Sequence, residues 1–441
     1  METNHSKAIQ PTRFYVLCVF LTLAFACATL LSSRSVGSVA AESNRATREE
    51  RLAVFDDVWS TINQRYYDRY FQGLDWQAQR TTYRDLAANA ETNRELYSVL
   101  RRMIATLNDS HTRVFAPEER FDWWRPRFIT IGISVSEVGG EPVVVQVEPG
   151  SAPHRAGIRV GDVIETVDAQ PALKVIERRL GNSVASSTGA SRMRAFSSVL
   201  DGVPASTVEL TWRTRDNKAK TASFQRYWQQ RELGVRTRVN GGVGVVEMDA
   251  FTRSVAEALI SALKKDLRDA RALVLDFRRN GGGDAEAMVD VSSAFLTSGM
   301  NMGQFTDRLG FSFTIETRTK SPFIAQTIEQ TRVPVIILSS ERTSSAAEIF
   351  IAALKSAGRA RIIGTETCGC VLAIRQRHTL PDGGILDVSE MDYQTATADR
   401  LEKQGIKPDT TVVVERAHLY EKRDRAMEIA LSELKRRGLL N

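Results

Sequence analysis

The stretch SSERTSSAAEIF, residues 339–350, places hydroxyl side chains between an apolar run and a helix-like one. The ordinary role of a serine or threonine at such a boundary is to cap the N-terminus of the helix. A serine at a strand-to-helix turn can instead be a nucleophile, because its Oγ is exposed and the first N–H groups of the helix can stabilise an oxyanion. The residues alone leave both roles open.

The stretch RNGGGD, residues 279–284, follows another apolar run. Its glycines predict either a simple tight turn or a loop whose N–H groups approach a substrate carbonyl, as in an oxyanion hole. The spacing fits neither a dinucleotide-binding fingerprint nor a phosphate-binding loop. Together with the serine cluster, this loop favours chemistry at a carbonyl group.

The chain has five histidines, and His111 in the stretch LNDSHT is the best candidate for a general base. A histidine in a turn is usually a surface residue with ordinary hydrogen bonds. Beside a candidate serine and a glycine loop, it is the side chain that could accept the serine's proton.

Three kinds of pattern divide the chain. Residues 42–117 carry apolar side chains at helical spacing, and residues 126–225 hold short β-rich runs separated by Gly and Pro. From residue 240 onward strand-like and helix-like stretches alternate, which predicts α/β layers around a largely parallel sheet. Functional groups in such sheets collect at the carboxyl ends of strands, where both candidate loops fall.

The composition is that of a globular protein of 441 residues, with a formal net charge of +6 that is not gathered into a basic tract. We therefore expect no nucleic-acid partner. Cys368 and Cys370 supply only half of a tetrahedral zinc site, so we expect no metal and no cofactor. A bridge across one intervening residue would be strained, so we expect both thiols to be bystanders that pack beside the serine.

The N-terminus has the pattern of an export signal. Lys7 and Arg13 precede an uncharged apolar stretch, residues 14–31, and the small residues SVA end at Ala40. An uncleaved membrane anchor is the main alternative, and a lipid-modified Cys27 is a weaker one. Each alternative places the rest of the chain outside the cytoplasm, in a periplasmic or other extracytoplasmic compartment.

Five segments in the same order resemble the C-terminal-processing and tricorn-core group of serine peptidases. The segments are LNDSHT, TIGIS with the β-rich run up to Pro171, LVLDFRRNGGG, ERTSSAAEIF with the residues up to Gly369, and GIKPDTTV. The resemblance covers residues 45 to 415. Each motif alone is moderately specific, whereas five in order are strongly specific.

The resemblance implies an α/β catalytic core of the ClpP/crotonase-like layered type, with an N-terminal helical domain and an inserted β-rich PDZ-like domain. The implied ranges are 1–40 for the signal or anchor, 41–125 for the helical domain, 126–225 for the PDZ-like domain and 226–441 for the peptidase core.

The resemblance also implies roles for single residues. Ser345 matches the family's nucleophile, with Ser344 as the alternative. The N–H of Ala346 would supply half of the oxyanion hole, and Gly282 in the glycine loop would supply the other half.

One branch of the family uses a lysine base 25 positions after the serine, but that position is Cys370 here. A Ser/Lys dyad is therefore excluded at this position. The tricorn-like branch pairs the serine with a Ser-His motif and a later Glu, which Ser110, His111 and Glu402 match. Glu390 is a rival for the acid.

In the PDZ-like segment, Ile131, Gly132 and Ile133 match the loop whose N–H groups hold a peptide's terminal carboxylate, so that the peptide adds as a strand to the sheet edge. The alternative is a purely structural β module.

The resemblance therefore predicts an exported serine endopeptidase that cleaves unfolded or C-terminally exposed protein segments, with Ser345 as nucleophile and His111 as base. A catalytically inert PDZ-type peptide-binding protein is the alternative. A membrane contact through residues 14–31 fits either, and the oligomeric state is not predicted.

Overall fold

Most helices of the computed structural model begin at a residue whose side chain caps the first turn. The model describes residues 46–119, 122, 125–181, 187–322 and 327–440. The α-helices are α1 (Arg48–Arg65), α2 (Trp76–Ala88), α3 (Asn93–Ala105), α4 (Ala152–Ala156), α5 (Ala172–Gly181), α6 (Thr188–Ser197), α7 (Arg253–Lys264), α8 (Ala285–Ser293), α9 (Ala346–Ser356), α10 (Arg416–Tyr420) and α11 (Arg425–Arg436). Short 3-10 turns occupy Phe71–Gly73 and Pro117–Glu119.

The strands divide among several sheets. They are β1 (Arg113–Phe115), β2 (Arg127–Thr130), β3 (Ile133–Val138), β4 (Glu141–Val147), β5 (Val163–Val167), β6 (Gln170–Pro171), β7 (Thr207–Arg213), β8 (Ala219–Gln225), β9 (Tyr227–Gln230), β10 (Val235–Asn240), β11 (Val243–Met248), β12 (Ala272–Asp276), β13 (Asn301–Asp307), β14 (Ser312–Glu316), β15 (Val335–Ser339), β16 (Ala360–Gly364), β17 (Arg377–Thr379), β18 (Ile385–Asp387), β19 (Met391–Gln394) and β20 (Thr410–Thr411).

The first three helices form a layer of their own. The Thr47 hydroxyl accepts from the N–H of Glu50, and the Glu50 carboxylate accepts from the N–H of Thr47, which closes a capping box at α1. The apolar faces of these helices share one core with Leu380, Leu386 and Val388 from the region of β17 and β18. Strand β1, which follows α3, pairs with β18, so the chain leaving the helical layer joins the small sheet that follows the serine and cysteine motifs.

Residues 133–225 form a β-rich module, a mostly antiparallel sheet in the order β3-β4-β5-β7-β8, with β6 attached to β5. Its core includes Phe196 of α6 and the fully buried Trp212 of β7. Strand β3 is at the sheet edge, with α6 packed beside it. The β2–β9 pair joins the chain entering the module to the chain leaving it.

The centre of the protein is a six-stranded sheet in the order β10-β11-β12-β15-β16-β20, parallel except for β10. Its apolar strands bury one face against α7, α8 and α9, and the other face against α11. Residues that alternate along a strand face opposite layers, so Leu273 lies in the first core and Val274 in the second. The predicted α/β core is confirmed.

The parallel register brings three loops to one edge of this sheet. Asp276 of β12 pairs with Leu338 of β15, and Ser339 of β15 pairs with Gly364 of β16. The segments after these strands are the glycine loop, the serine turn and the cysteine-containing loop. They therefore leave the sheet side by side at its carboxyl edge, as expected for such sheets.

Among the described residues no helix is both long and apolar enough to cross a membrane. The predicted signal or anchor, residues 1–40, lies outside the described residues.

Candidate active site

Ser345 occupies the turn between β15 and α9 in an unusual backbone conformation. It precedes the first residue of α9 and has φ 57° and ψ −127°. A non-glycine residue seldom adopts a positive φ, and strain of this kind collects at functional sites. The N–H of Glu348, which a capping serine side chain would bind, donates to the Ser345 backbone carbonyl at 2.8 Å. Of the two roles left open by the sequence, the geometry therefore favours a free hydroxyl over a helix cap.

Gly282 packs directly against this turn. It has φ +88°, and a Cβ added there would lie 2.6 Å from the Ser345 Cβ and 2.9 Å from the Ala346 nitrogen. Only glycine fits so close to the serine and to the first N–H of α9. The N–H of Gly282 itself donates to Asn280 Oδ1 at 2.9 Å. Gly282 is as close to Ser345 as an oxyanion hole needs, but its N–H already donates to the Asn280 side chain.

Glu348 fastens the serine turn to the cysteine-containing loop and was missed by the sequence reasoning. Its fully buried carboxylate accepts from the Ser345 N–H at 3.1 Å and from the Thr367 hydroxyl at 2.5 Å. It also accepts from the N–H groups of Gly369 at 2.8 Å and Cys370 at 2.9 Å. Burial raises the pKa of Glu348 to about 7, although all four hydrogen bonds oppose that rise. A lone acid in an otherwise apolar helix was the available signal.

Cys368 and Cys370 form a disulfide, so the expectation of two bystander thiols is wrong. Gly369 between them has φ +68°, and this turn brings the two Cα atoms to 5.2 Å, within the range that a disulfide spans. Cys370 Sγ also lies 3.2 Å from the Ser110 hydroxyl. The carbonyl of Cys370 accepts from the Ser345 N–H at 2.8 Å. Among the described residues, no group of three or more His, Cys, Asp or Glu could hold a metal.

The Ser110-His111 turn is held by Asp109, which the sequence reasoning also missed. Asp109 Oδ1 accepts from the N–H groups of His111 at 2.6 Å and Thr112 at 2.8 Å, and Oδ2 accepts from the Thr112 hydroxyl. Ser389 donates its hydroxyl to the same carboxylate at 2.8 Å. An aspartate that accepts from N–H groups two and three positions ahead is a recognisable turn motif, so NDSHT carried the signal.

The His111 ring is buried and uncharged. The residue is only 9% exposed, and its Nδ1 has no hydrogen-bond partner among the residues that the structure describes. Burial, together with the positive charges of Arg113 and Arg194, lowers the pKa of His111 to about 3. Among the described residues, no hydrogen bond joins this ring to the Ser345 hydroxyl. A buried ring nitrogen without a partner costs stability, and such groups are often retained for chemistry.

The structure separates the two rival acids. Glu402 Oε2 accepts from the N–H of Val371 at 2.8 Å, so Glu402 borders the loop that carries Cys370. Glu390 instead contacts His378 Nε2 at 3.3 Å and Arg65 at 3.7 Å. Glu402 is therefore the acid that lies with the other candidate residues.

The three residues predicted to bind a peptide carboxylate lie where β3 begins. Ile131 and Ile133 are buried, and Gly132 has φ +96°. The N–H of Gly132 donates to the Thr130 hydroxyl at 2.9 Å. A terminal carboxylate would have to displace that hydroxyl to use this N–H.

Comparisons with known proteins all point to one group of peptidases. A model of peptidase family S41 matches residues 242–412, and a model of the tricorn protease C1 domain matches residues 47–105. The chain is 27% identical over 402 residues to carboxyl-terminal-processing peptidase 2, chloroplastic, of Arabidopsis thaliana, which covers 86% of this chain and 72% of the relative. It is also 27% identical over 394 residues to a carboxyl-terminal-processing protease of a Picosynechococcus strain, which covers 82% of this chain and 85% of the relative.

Solved structures share the fold. The photosystem II D1 C-terminal processing protease superposes with a TM-score of 0.54 at 24% identity, covering 83% of this chain and 93% of the other. Mature CPAF complexed with lactacystin superposes with a TM-score of 0.66 at 15% identity, covering 88% of this chain and 98% of the other.

Proposed function

Because this chain belongs to the C-terminal-processing peptidases of family S41 and is a serine-type peptidase, we propose that Ser345 is its nucleophile and His111 its general base. Its substrates in this proposal are unfolded or C-terminally exposed protein segments, and its place of action is outside the cytoplasm.

The observation that carries the proposal is the backbone of Ser345. A serine with φ 57° at the start of a helix, whose N–H donates to the Cys370 carbonyl, has the backbone conformation of a nucleophile at a strand-to-helix turn. The N–H of Ala346 is the first of α9, where the helix dipole favours negative charge. An oxyanion that forms on the substrate carbonyl next to Ser345 would be stabilised there.

In the proposed reaction His111 removes the Ser345 proton as Oγ attacks the carbonyl, and then gives that proton to the leaving amine. Water releases the acyl group in a second half-reaction that repeats these proton transfers. Neutral imidazole is required for the first step, and the lowered pKa of His111 provides it. Because no hydrogen bond joins the ring to the hydroxyl among the described residues, the proposed proton transfer requires a movement that brings them together when substrate binds.

Glu348 is the other titratable group next to Ser345, but its role is to position the loop. Its pKa of about 7 would suit a base, yet its oxygens already accept hydrogen bonds from four donors. One of them is the Ser345 backbone N–H, so the carboxylate holds the backbone of the nucleophile.

The proposal keeps Ser110 and Glu402 as the residues that orient the His111 imidazole, with Glu402 as the acid. Ser110 precedes His111 and contacts the Cys370 sulfur, whereas Glu402 accepts from the N–H groups that follow Cys370. Both therefore border one loop, from which they can orient the imidazole when the site closes.

The β-rich module is proposed to be PDZ-like and to receive the substrate's C-terminus. Within the described part of the chain, edge strand β3 pairs with β4 on one side and with no strand on the other, and α6 lies beside it. A peptide added there would extend the sheet, with its carboxylate at Ile131, Gly132 and Ile133.

The test is cleavage of a disordered protein such as casein by the purified chain, compared with its Ser345→Ala variant. The proposal expects fragments from the first and none from the second. Peptide binding without turnover, together with no labelling of Ser345 by a serine-reactive phosphonate, would instead establish the inert peptide-binding alternative.

A further inference from the structure

A large cleft opens beside the candidate site, between the helical layer and the β-rich module. Its volume is about 1760 Å³, and it is lined by α3, by residues 112–115, 119, 122 and 127, and by the start of α6. Pockets for small molecules usually measure about 300–1,000 Å³, so this cleft has room for several residues of a peptide.

The cleft adjoins the proposed chemistry. Its lining includes Thr112, which directly follows His111, and Lys403, whose N–H donates to the carbonyl of Gly369 at 2.8 Å. Ser187, also in the lining, donates its hydroxyl to the carbonyl of Cys368 at 2.6 Å. A substrate chain that leaves the neighbourhood of Ser345 on this side therefore enters the cleft.

The described lining is strongly basic. It contains seven arginine or lysine side chains against two acids, Glu119 and Asp122. Glu119 forms an ion pair with Arg101 at 2.6 Å. Arg192 pairs with Glu137, which lies outside the lining.

Three of these cations lack a carboxylate partner in the part of the chain that the structure describes. Arg94 and Arg102 are exposed on α3, and no ion pair joins either of them to an acid there. The Lys403 ammonium contacts only the neutral side-chain oxygen of Gln72. Cations without a paired acid in a cleft create a strong positive electrostatic potential, which attracts negatively charged groups.

From this juxtaposition we infer that the cleft binds an acidic segment of the substrate, rich in Asp or Glu, next to the bond that is cut. The inference rests on the proposed function and adds its substrate class. Acidic side chains would pair with Arg94, Arg102 and Lys403 of the lining. Because these contacts are remote from the reacting carbonyl, they act on substrate binding, so KM changes and kcat does not.

The experiment uses two fluorescent, unstructured peptides of equal length. They are identical except that three neighbouring Glu in the first are Gln in the second. Their dissociation constants are measured on the full-length Ser345→Ala variant, which binds without cutting, at 50 and 300 mM salt. We expect the acidic peptide to bind roughly fivefold to tenfold more tightly at low salt, and the preference to shrink at high salt.

Arg94→Gln combined with Arg102→Gln, in the same background, removes most of that preference. Arg436→Gln is the matched control, since Arg436 is exposed on α11, forms no ion pair in the described region and does not line the cleft. It keeps the preference. Equal affinity for the two peptides, or a preference that survives the double substitution, overturns the inference. Turnover of the acidic peptide by the native chain is measured separately, so preferential binding without cleavage contradicts the proposed function alone.

Discussion

The backbone N–H of Ser345 donates to the backbone carbonyl of Cys370 at 2.8 Å. Cys370 occupies the position at which a related branch of the family keeps a lysine base. Its backbone is thus hydrogen-bonded to the candidate nucleophile, and its side chain is part of a disulfide. The Cys370 sulfur faces Ser110, the neighbour of His111. The loop that would have carried a base instead borders the turn that carries the proposed one.

The first prediction concerns the disulfide. The loop is also held by backbone hydrogen bonds from Cys368 to Thr343, from Gly369 and Cys370 to Glu348, and from Ser345 to Cys370. These survive when both cysteines become Ala, so Cys368→Ala/Cys370→Ala should keep kcat within about threefold. It should lose about 1–2 kcal/mol of unfolding free energy, as expected for the closure of a very short loop.

Peptidase rates and urea unfolding of the double variant check this prediction. Treatment of the native chain with dithiothreitol should reproduce both results. A drop in kcat of more than tenfold would show that the disulfide itself, rather than the backbone hydrogen bonds, holds the nucleophile in place.

The second prediction concerns the charge of His111. Because its pKa is lowered to about 3, the imidazole should remain neutral at pH 5, where a histidine with an ordinary pKa of about 6.5 would be almost fully protonated. Nitrogen-15 NMR of labelled histidine side chains checks this, with the His111→Ala variant used to assign the signal. A His111 signal that titrates near pH 6.5 would show that the ring is solvated or paired with an acid.

The third prediction concerns Glu348 and the pH dependence of stability. Its pKa in the folded chain, about 7, exceeds the ordinary value of 4.5, so the folded state binds this proton more tightly than the unfolded state does. The free energy of unfolding that this group contributes is therefore greatest below pH 4.5 and decreases by about 3 kcal/mol as pH rises to 7.

Urea unfolding at several pH values should show this decrease for the native chain and not for Glu348→Gln, which has no titrating group there. The substitution also replaces an acceptor oxygen with an amide donor beside four other donors, so kcat should fall at least tenfold. If the free energy of unfolding changes with pH in the same way in both proteins, Glu348 is not the cause of the decrease.

The fourth prediction concerns Asp109. Asp109→Asn removes one acceptor oxygen from a carboxylate that holds His111, Thr112 and Ser389. The His111 backbone should shift, and small misplacements of a catalytic group are costly, so we expect kcat to fall by about tenfold to a hundredfold with KM nearly unchanged. Asp75→Asn is the matched control, because Asp75 caps α2 in the helical layer. Equal effects of the two substitutions on kcat would indicate a general loss of stability.

The sequence was sufficient to predict the α/β core and the convergence of its loops at one edge of the sheet. Apolar runs such as ALVLD and VIILS are long enough to be recognised as buried strands, and they are β12 and β15. Parallel strands put their following loops at one edge, so the convergence of Ser345 and Gly282 could be expected.

What the sequence did not reveal depends on contacts between distant residues or on burial. The bond between Cys368 and Cys370 depends on a turn at Gly369 that composition does not specify. The basic cleft joins α3 to α6, about a hundred positions apart, through tertiary packing. Likewise, the burial of the His111 ring depends on tertiary packing around the Ser110-His111 turn.

The most direct test of the central claim is the turnover number for one disordered substrate in four proteins: the native chain, Ser345→Ala, His111→Ala and the double variant. If Ser345 and His111 act as one unit, each single substitution removes about as much activity as both together, and all three variants fall to the same background. His111→Ala that retains more than a tenth of the native kcat, while Ser345→Ala is inactive, would contradict the assignment of His111 as the base.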